Sequence, residues 1–309
     1  MMYTSTLSTE PGNDRGVVEA ANESRADGRT EMRALCSFRM PLAVAIVVVL
    51  GTSCGDDGGP TSPTDNFFDF TGNVANTDFT AEASFSSEIP VASQTQLALR
   101  GINGSVVVSG RSDSSSILVN AVRRVRSESS ADAEANLERL QVRVTDLGTQ
   151  VLVETSQPQD SGGRSFEVDY AITLPRTLEV SVTNVNGAVT IENINAPVNV
   201  LNTNGELELQ NIVGSVIAEG VNGRIEATST LPRAGRIELA LVNGNVELAI
   251  PQNTSATLSA RTSNGTVTLS NLSLSSSTSA PSSVQGTLGG GDGTIILTTV
   301  NGTIRVSGF

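Results

Sequence analysis

Three glutamates, Glu208, Glu226 and Glu247, stand at the same place in successive segments of the chain, three residues after a glycine that follows an asparagine. Across six such segments that place reads Thr190, Glu208, Glu226, Glu247, Thr268 and Arg305. Neighbouring strands of a sheet lie about 4.8 Å apart, so in-register stacking would set the three carboxylates in one outward column. Like charges at that spacing repel unless they are solvated or bridged by a cation. The column has three readings. It could ligate Ca²⁺ through oxygen, it could supply a carboxylate pair to a polysaccharide-active enzyme, or it could be a solvated face that discourages sideways association.

Other chemistry is excluded by what the chain lacks. Its 309 residues include no His, and all 19 basic residues are Arg. No Ser-His-Asp or Cys-His constellation can form, and no imidazole metal site. Gly286 to Gly293 (GTLGGGDG) is glycine-rich but lacks the Gly-Lys-Ser/Thr ending of a phosphate loop. No metal, cofactor or catalytic residue is therefore expected. The net charge is −13; residues 1–53 hold six acidic residues and five Arg, which leaves 26 acidic residues against 14 Arg, or −12, for residues 54–309. So acidic a body argues against nucleic acid as a partner. The one basic cluster, Arg123, Arg124 and Arg126, reads as the edge of a solvated strand.

The N-terminus carries an address. Residues 1–31 are polar and without periodicity, a polar extension or a start assigned too early. From Met32, Arg33 and Arg39 precede the apolar run Pro41 to Leu50, and Gly51-Thr52-Ser53-Cys54 follows. Ten apolar residues are too few for a membrane span of about 20, but they suit a signal peptide over residues 32–53. Small residues ending in Cys match a lipoprotein signal, with Cys54 as the lipidated residue; the alternative is an ordinary cleaved signal with an incidental Cys. Leu50 stands four residues before Cys54, where the usual lipobox has Leu three before. Residues 54–66 then form a Gly/Pro/Asp tether. Gly55, rather than Asp, follows the cysteine, which by the usual sorting rule permits onward transport to an outer membrane. Cys36 and Cys54 both belong to this leader region, so the mature body has no disulfide. Export, a membrane held through a lipid anchor, and a periplasmic or outer-membrane place in the envelope are the expectations.

The elements that must position the glutamates are repeats. Asn-Gly recurs as Asn103-Gly104, Asn186-Gly187, Asn204-Gly205, Asn222-Gly223, Asn243-Gly244, Asn264-Gly265 and Asn301-Gly302. From Asn186 the gaps are 18, 18, 21, 21 and 37 residues, the last close to two periods. After the glycines apolar residues alternate as in a half-buried strand: Val189 and Ile191, Leu207 and Leu209, Val246 and Leu248, Val267 and Leu269, Ile304 and Val306. A second strand fits in each period, with Val198 and Val200, Val216 and Ala218, Ile237 and Leu239, or Ala256 and Leu258 facing inward. The fold class is all-β. One architecture is a β-solenoid (β-helix-like) of 18–21-residue, two-strand repeats with stacked asparagines; the alternative is an antiparallel β meander with Asn-Gly hairpin turns. The near-constant period favours the solenoid.

The Gly101-Ile102-Asn103-Gly104 opening, the recurring Asn-Gly-x-apolar-x-apolar unit and the Leu174-Pro175 step resemble the DUF4097-like family of candidate adhesins, related to a group named for its Gly-Ile-Asn head motif. The resemblance covers roughly residues 79–309 of a β domain spanning 67–309. It implies a β-solenoid on exported or envelope-anchored proteins, and leaves the ligand open.

Three local features complete the reading. Five of the eight Phe fall at 67, 68, 70, 79 and 85 and are expected to plug the open end of the stack, or else to form an exposed patch. Ser130 to Leu140 reads as one short helix capped by Ser130, and residues 270–293 as a mobile Ser/Gly-rich loop. The leading function is a non-enzymatic, envelope-anchored lipoprotein presenting a β-solenoid surface for adhesion or scaffold contacts, with a glycan or an envelope protein as the partner. The alternatives are a polysaccharide lyase or hydrolase acting through Glu208, Glu226 and Glu247, and an envelope-stress accessory protein.

Overall fold

The computed structural model describes residues 79–309. The leader, Cys54, the tether and Phe67, Phe68 and Phe70 lie outside the described residues. The N-terminal part contains β1 (Phe79–Pro90), β2 (Gln96–Arg100), β3 (Val106–Arg111), β4 (Ser116–Ser127), α1 (Ser130–Leu137), β5 (Gln141–Asp146), β6 (Gln150–Ser156) and β7 (Ser165–Pro175). The repeats follow as β8 (Glu179–Asn186), β9 (Val189–Glu192), β10 (Val198–Val213), β11 (Val216–Thr230) and β12 (Arg236–Ile250). The C-terminal part holds β13 (Ala256–Asn264), β14 (Val267–Ser270), β15 (Ser275–Ala280), β16 (Ser283–Leu288), β17 (Gly293–Asn301) and β18 (Ile304–Gly308).

Each Asn-Gly is a corner inside a coil, not a hairpin turn. β10, β11 and β12 run through their Asn-Gly without reversing, and pair in parallel so that Asn204 faces Asn222 and Asn222 faces Asn243. The meander is thereby set aside for the repeats. Alternating Val, Ile, Leu and Ala point inward from both arms of every coil; Val198, Leu207, Leu209, Val216, Ile225, Ile237, Leu239, Val246 and Leu248 are all buried. β-branched residues fit such a pleated, half-buried surface. A core of aliphatic layers results, with Phe166 and Tyr170 as its buried aromatics among the described residues.

The coils do not stack in chain order. The parallel pairings run from β2–β3 to β8–β9, β10, β11 and β12, then to β17–β18, and only then to β13–β14. The last coil of the sequence is thus inserted between two earlier ones. The 37-residue gap before Asn301 is not two stacked periods. It contains β15 and β16, which form an antiparallel hairpin on β13, where the sequence suggested a mobile loop. Pairing with β13 satisfies the backbone of β16, and Val284 and Leu288 are buried against the core.

The opposite end is closed by an antiparallel layer. β6 and β7 pair in parallel with β2 and β3, β4 runs antiparallel to both β7 and β1, and β5 runs antiparallel to β6. The Arg123–Arg126 segment therefore lies on an internal strand rather than an edge. Its Arg124 is three-quarters buried among Glu82, Glu167 and Asp169. Helix α1 ends at Leu137, and its cap is Ser129, one residue earlier than expected, whose Oγ accepts from the Asp132 N–H. Of the phenylalanines within the described residues, Phe85 packs partly buried against the core while Phe79 is exposed.

Candidate functional site

The asparagines form one continuous side-chain ladder. Asn186 Nδ2 donates to Asn103 Oδ1 (2.7 Å), Asn204 to Asn186 (2.8 Å), Asn222 to Asn204 (2.8 Å) and Asn243 to Asn222 (2.9 Å). Asn301 then donates to Asn243 (2.7 Å) and Asn264 to Asn301 (2.8 Å), so the ladder follows the order in space. Each glycine has a positive φ, from +117° at Gly104 to +154° at Gly265. A Cβ at Gly223 would overlap the carbonyl oxygen of Gly205 in the next coil, so the corner requires glycine for both conformation and space.

A second polar row, which the sequence reading missed, lies just inside the ladder. Asn184 and Asn202 donate from Nδ2 to the carbonyls of Gly104 (3.3 Å) and Gly187 (2.9 Å). Thr262 and Thr299 donate from Oγ1 to those of Gly302 and Gly244 (3.0 Å each). All four side chains are buried. The signal was present: each stands two residues before an Asn-Gly asparagine. A further corner carries Asn193 and Asn211 in left-handed conformation, with Asn211 Nδ2 donating to Asn193 Oδ1 at 3.1 Å. Asparagine tolerates that conformation better than other non-glycine residues.

The glutamate column exists as a register: Thr190, Glu208, Glu226, Glu247 and Arg305 are successive partners across β9, β10, β11, β12 and β18. Its members are not equivalent. Arg224 Nη2 lies 2.8 Å from Glu226 Oε2 and 2.9 Å from Glu247 Oε2, and Arg305 Nη1 lies 2.8 Å from Glu247 Oε1. The hydrogen bond to Glu247, then the charges of Glu247 and Glu226, raise the Arg224 guanidinium above its ordinary value. Glu208 makes no ion pair among the described residues; its Oε1 accepts from Gln210 Nε2 at 2.6 Å. Guanidinium groups thus occupy the place of a bridging cation at Glu226 and Glu247. Among the described residues no group of three or more His, Cys, Asp or Glu is arranged to hold a metal ion. The groove beside the column measures about 200 Å³ and has Glu226, Glu247, Thr268 and Arg305 on its walls. Glu226 and Glu247 are register partners on adjacent strands, so they stand side by side on one sheet face, whereas a glycosidase pair flanks the scissile bond.

This face continues onto the closing layer. Thr190 pairs with Val107, Val107 with Ala171, Ala171 with Asn120, and Asn120 with Ser86. The single outward row from Ser86 to Thr268 crosses ten strands, nine spacings of about 4.8 Å or about 43 Å. Over β3, β4 and β7 it dips into a groove of about 420 Å³, lined by Phe85, Val107, Val122, Tyr170 and Ala171, with Asp169 at its rim. Burial opposes ionisation of Asp169, but bonds from Ser105 N (2.8 Å) and Oγ (2.6 Å) and from Arg124 outweigh it and lower its pKa. Burial pushes the Tyr170 hydroxyl up to about 12; it shares a hydrogen bond of 2.7 Å with Thr155. In both grooves the titratable groups, Glu226, Glu247 and Arg305 in one and Asp169 and Tyr170 in the other, are engaged in ion pairs or hydrogen bonds.

The model of the family described as Toastrack DUF4097 matches residues 63–307. Among curated proteins no relative matches the chain. A candidate cell adhesion protein from Clostridium sporogenes is 13% identical, with 74% of this chain and 100% of that one covered and a TM-score of 0.44. A candidate adhesin from Bacteroides fragilis is 12% identical over 74% and 97% of the two chains, with a TM-score of 0.26. A candidate lipid binding protein from Parabacteroides distasonis is 13% identical over 72% and 96%, with a TM-score of 0.22. The family model spans most of the chain and carries the assignment: this chain belongs to the Toastrack DUF4097 family.

Proposed function

We propose that this chain is a non-enzymatic lipoprotein, held in the cell envelope through Cys54, that presents the outward row from Ser86 to Thr268 as a rigid contact surface for a glycan or an envelope protein. The observation that carries the reading is this row: ten strands wide and in register, with Ser86 bonded to Asn120, Arg305 bonded to Glu247, and Arg224 of the adjacent row bridging Glu226 and Glu247. A surface fixed in this way loses little freedom when it binds, which favours contact. The ion pairs on Glu226 and Glu247 disfavour the polysaccharide-enzyme reading, because neither carboxylate is free to shuttle a proton.

The anchor is tested by metabolic labelling with a clickable fatty acid in cells making the natural chain or Cys54→Ala. Label on the natural chain alone, with protein in the membrane fraction, is expected; soluble, unlabelled protein from both would refute the anchor. The surface is tested by placing a photo-crosslinking residue at Thr190 on this row, or at Thr298 on the outer side of the other arm of the coils. Defined crosslinks from position 190 and none from 298 are expected. Equal crosslinking from both would remove the assignment of this face.

A further inference from the structure

We propose that Asn264-Gly265 is a site of spontaneous covalent modification, at which the folded chain deamidates while the other six Asn-Gly pairs are protected. Asn-Gly is chemically the pair most open to this reaction, because glycine places no side chain in the way of its own amide nitrogen. The Gly265 nitrogen loses its proton and attacks Cγ of Asn264. The C–N bond to the side-chain nitrogen breaks, ammonia leaves, and a five-membered succinimide remains. Water then opens the ring at either carbonyl, leaving aspartate or isoaspartate; in sum the amide plus water gives the acid plus ammonia.

The two ends of the ladder differ in what stands beside them. At the closed end, Asn103 Nδ2 donates to the Phe166 carbonyl (3.0 Å), its Oδ1 accepts from Asn186, and the Gly104 N–H donates to the Asn186 carbonyl (2.9 Å). Inside the ladder, Asn301 holds Asn243 and Asn264 through its side chain, and the Gly302 N–H donates to the Asn264 carbonyl (3.0 Å). Attack at Asn301 must break three hydrogen bonds. At Gly104, Gly187 and Gly302 the glycine N–H donates to the asparagine carbonyl of the next coil in the stack, and beyond β13–β14 no further Asn-Gly coil follows among the described residues. Among the described residues the Gly265 N–H has no acceptor, and the Asn264 side chain makes one bond, to Asn301. The strand is held on either side, by Thr262 N–H to the Ser282 carbonyl and Val267 N–H to the Pro281 carbonyl, while Asn264 and Gly265 between them are exposed. Reaction there needs one bond broken. Its product also matters: a carboxylate at 264 has no N–H to offer Asn301 Oδ1, and isoaspartate adds a methylene to the backbone of a strand in tight register with β17.

The test holds the full chain, folded, at mildly alkaline pH, then cleaves after arginine and locates the amide-to-acid mass change by fragmentation. Cleavage after Arg261 and Arg305 leaves Asn264 and Asn301 in one peptide, so each reports on the other. Conversion at Asn264 at least about tenfold faster than at Asn301 is expected, since two further hydrogen bonds guard the latter. The same chain in denaturant corrects for local sequence, and there the two sites are expected to convert at similar rates. Equal rates in the folded chain, protection of Asn264 in the folded chain, or the same ratio with and without denaturant would each overturn the proposal.

Discussion

Asn222→Ala in the middle of the ladder isolates the contribution of stacked amides. Asn222 donates to Asn204 Oδ1 at 2.8 Å and accepts from Asn243 Nδ2 at 2.9 Å, so the substitution removes two hydrogen bonds. Each is worth about 0.5–1.5 kcal/mol net. Both are exposed, so water can reach the groups left behind and the loss falls in the lower part of the range, about 1–2 kcal/mol for the pair. For a domain of this size each kcal/mol lowers the melting temperature by about 2–4 °C, which gives a fall of about 2–8 °C. Asn264→Ala, at the end of the same ladder, removes only the bond to Asn301 and is expected to cost about half as much. Thermal and urea unfolding followed by far-ultraviolet circular dichroism measure both variants against the natural chain. An unchanged Asn222→Ala protein, or a loss at Asn264 equal to or greater than that at Asn222, would refute the ladder as a stabilising element.

Two further outcomes are expected. Ending the chain at Asp292 removes β17 and β18, and with them the buried side chains of Ile295, Leu297, Ile304 and Val306. At about 1.5–3 kcal/mol each this amounts to about 6–12 kcal/mol, comparable to the whole stability of a domain. The shortened chain should therefore lose cooperative unfolding, and a sharp transition near that of the full chain would contradict the inserted position of this coil. Asp132 is held at about 2, against an ordinary 3.8, first by its hydrogen bonds from Arg164 and then by that from Ser127. A depressed carboxylate stabilises the fold fully above its unfolded value and loses that contribution as pH falls from about 4 toward 2. Asp132→Asn should lower the urea midpoint at neutral pH and flatten its fall over that acid window. Parallel curves for the two proteins would refute the role of the Arg164 bridge.

The repeat was legible because its causes are local. Asn204, Gly205, Leu207 and Leu209 carry a corner that needs a positive φ and an arm that must bury alternate residues, and both demands are written within six positions. The same locality hid other parts. Ser275 to Ala280 looks like a loop by composition, and becomes a strand because β16 stands beside it with an unpaired edge. Glu208, Glu226 and Glu247 share one position in the repeat, but their ion pairs depend on more than that position: Arg224 belongs to the adjacent row, and Arg305 stands beside Glu247 only because β18 pairs with β12.

That the chain makes coils follows from its local pattern: the Asn-Gly period, the alternation of aliphatic residues and the lack of aromatic bulk leave a narrow, layered β structure as the consistent outcome. That pattern does not determine their order. Every coil presents the same asparagine above and below and the same aliphatic interior, so the local pattern accepts any neighbour. Asn301 stands between Asn243 and Asn264 through long-range packing: the β15–β16 hairpin lies on one side of β13, and the last coil fills the slot on the other.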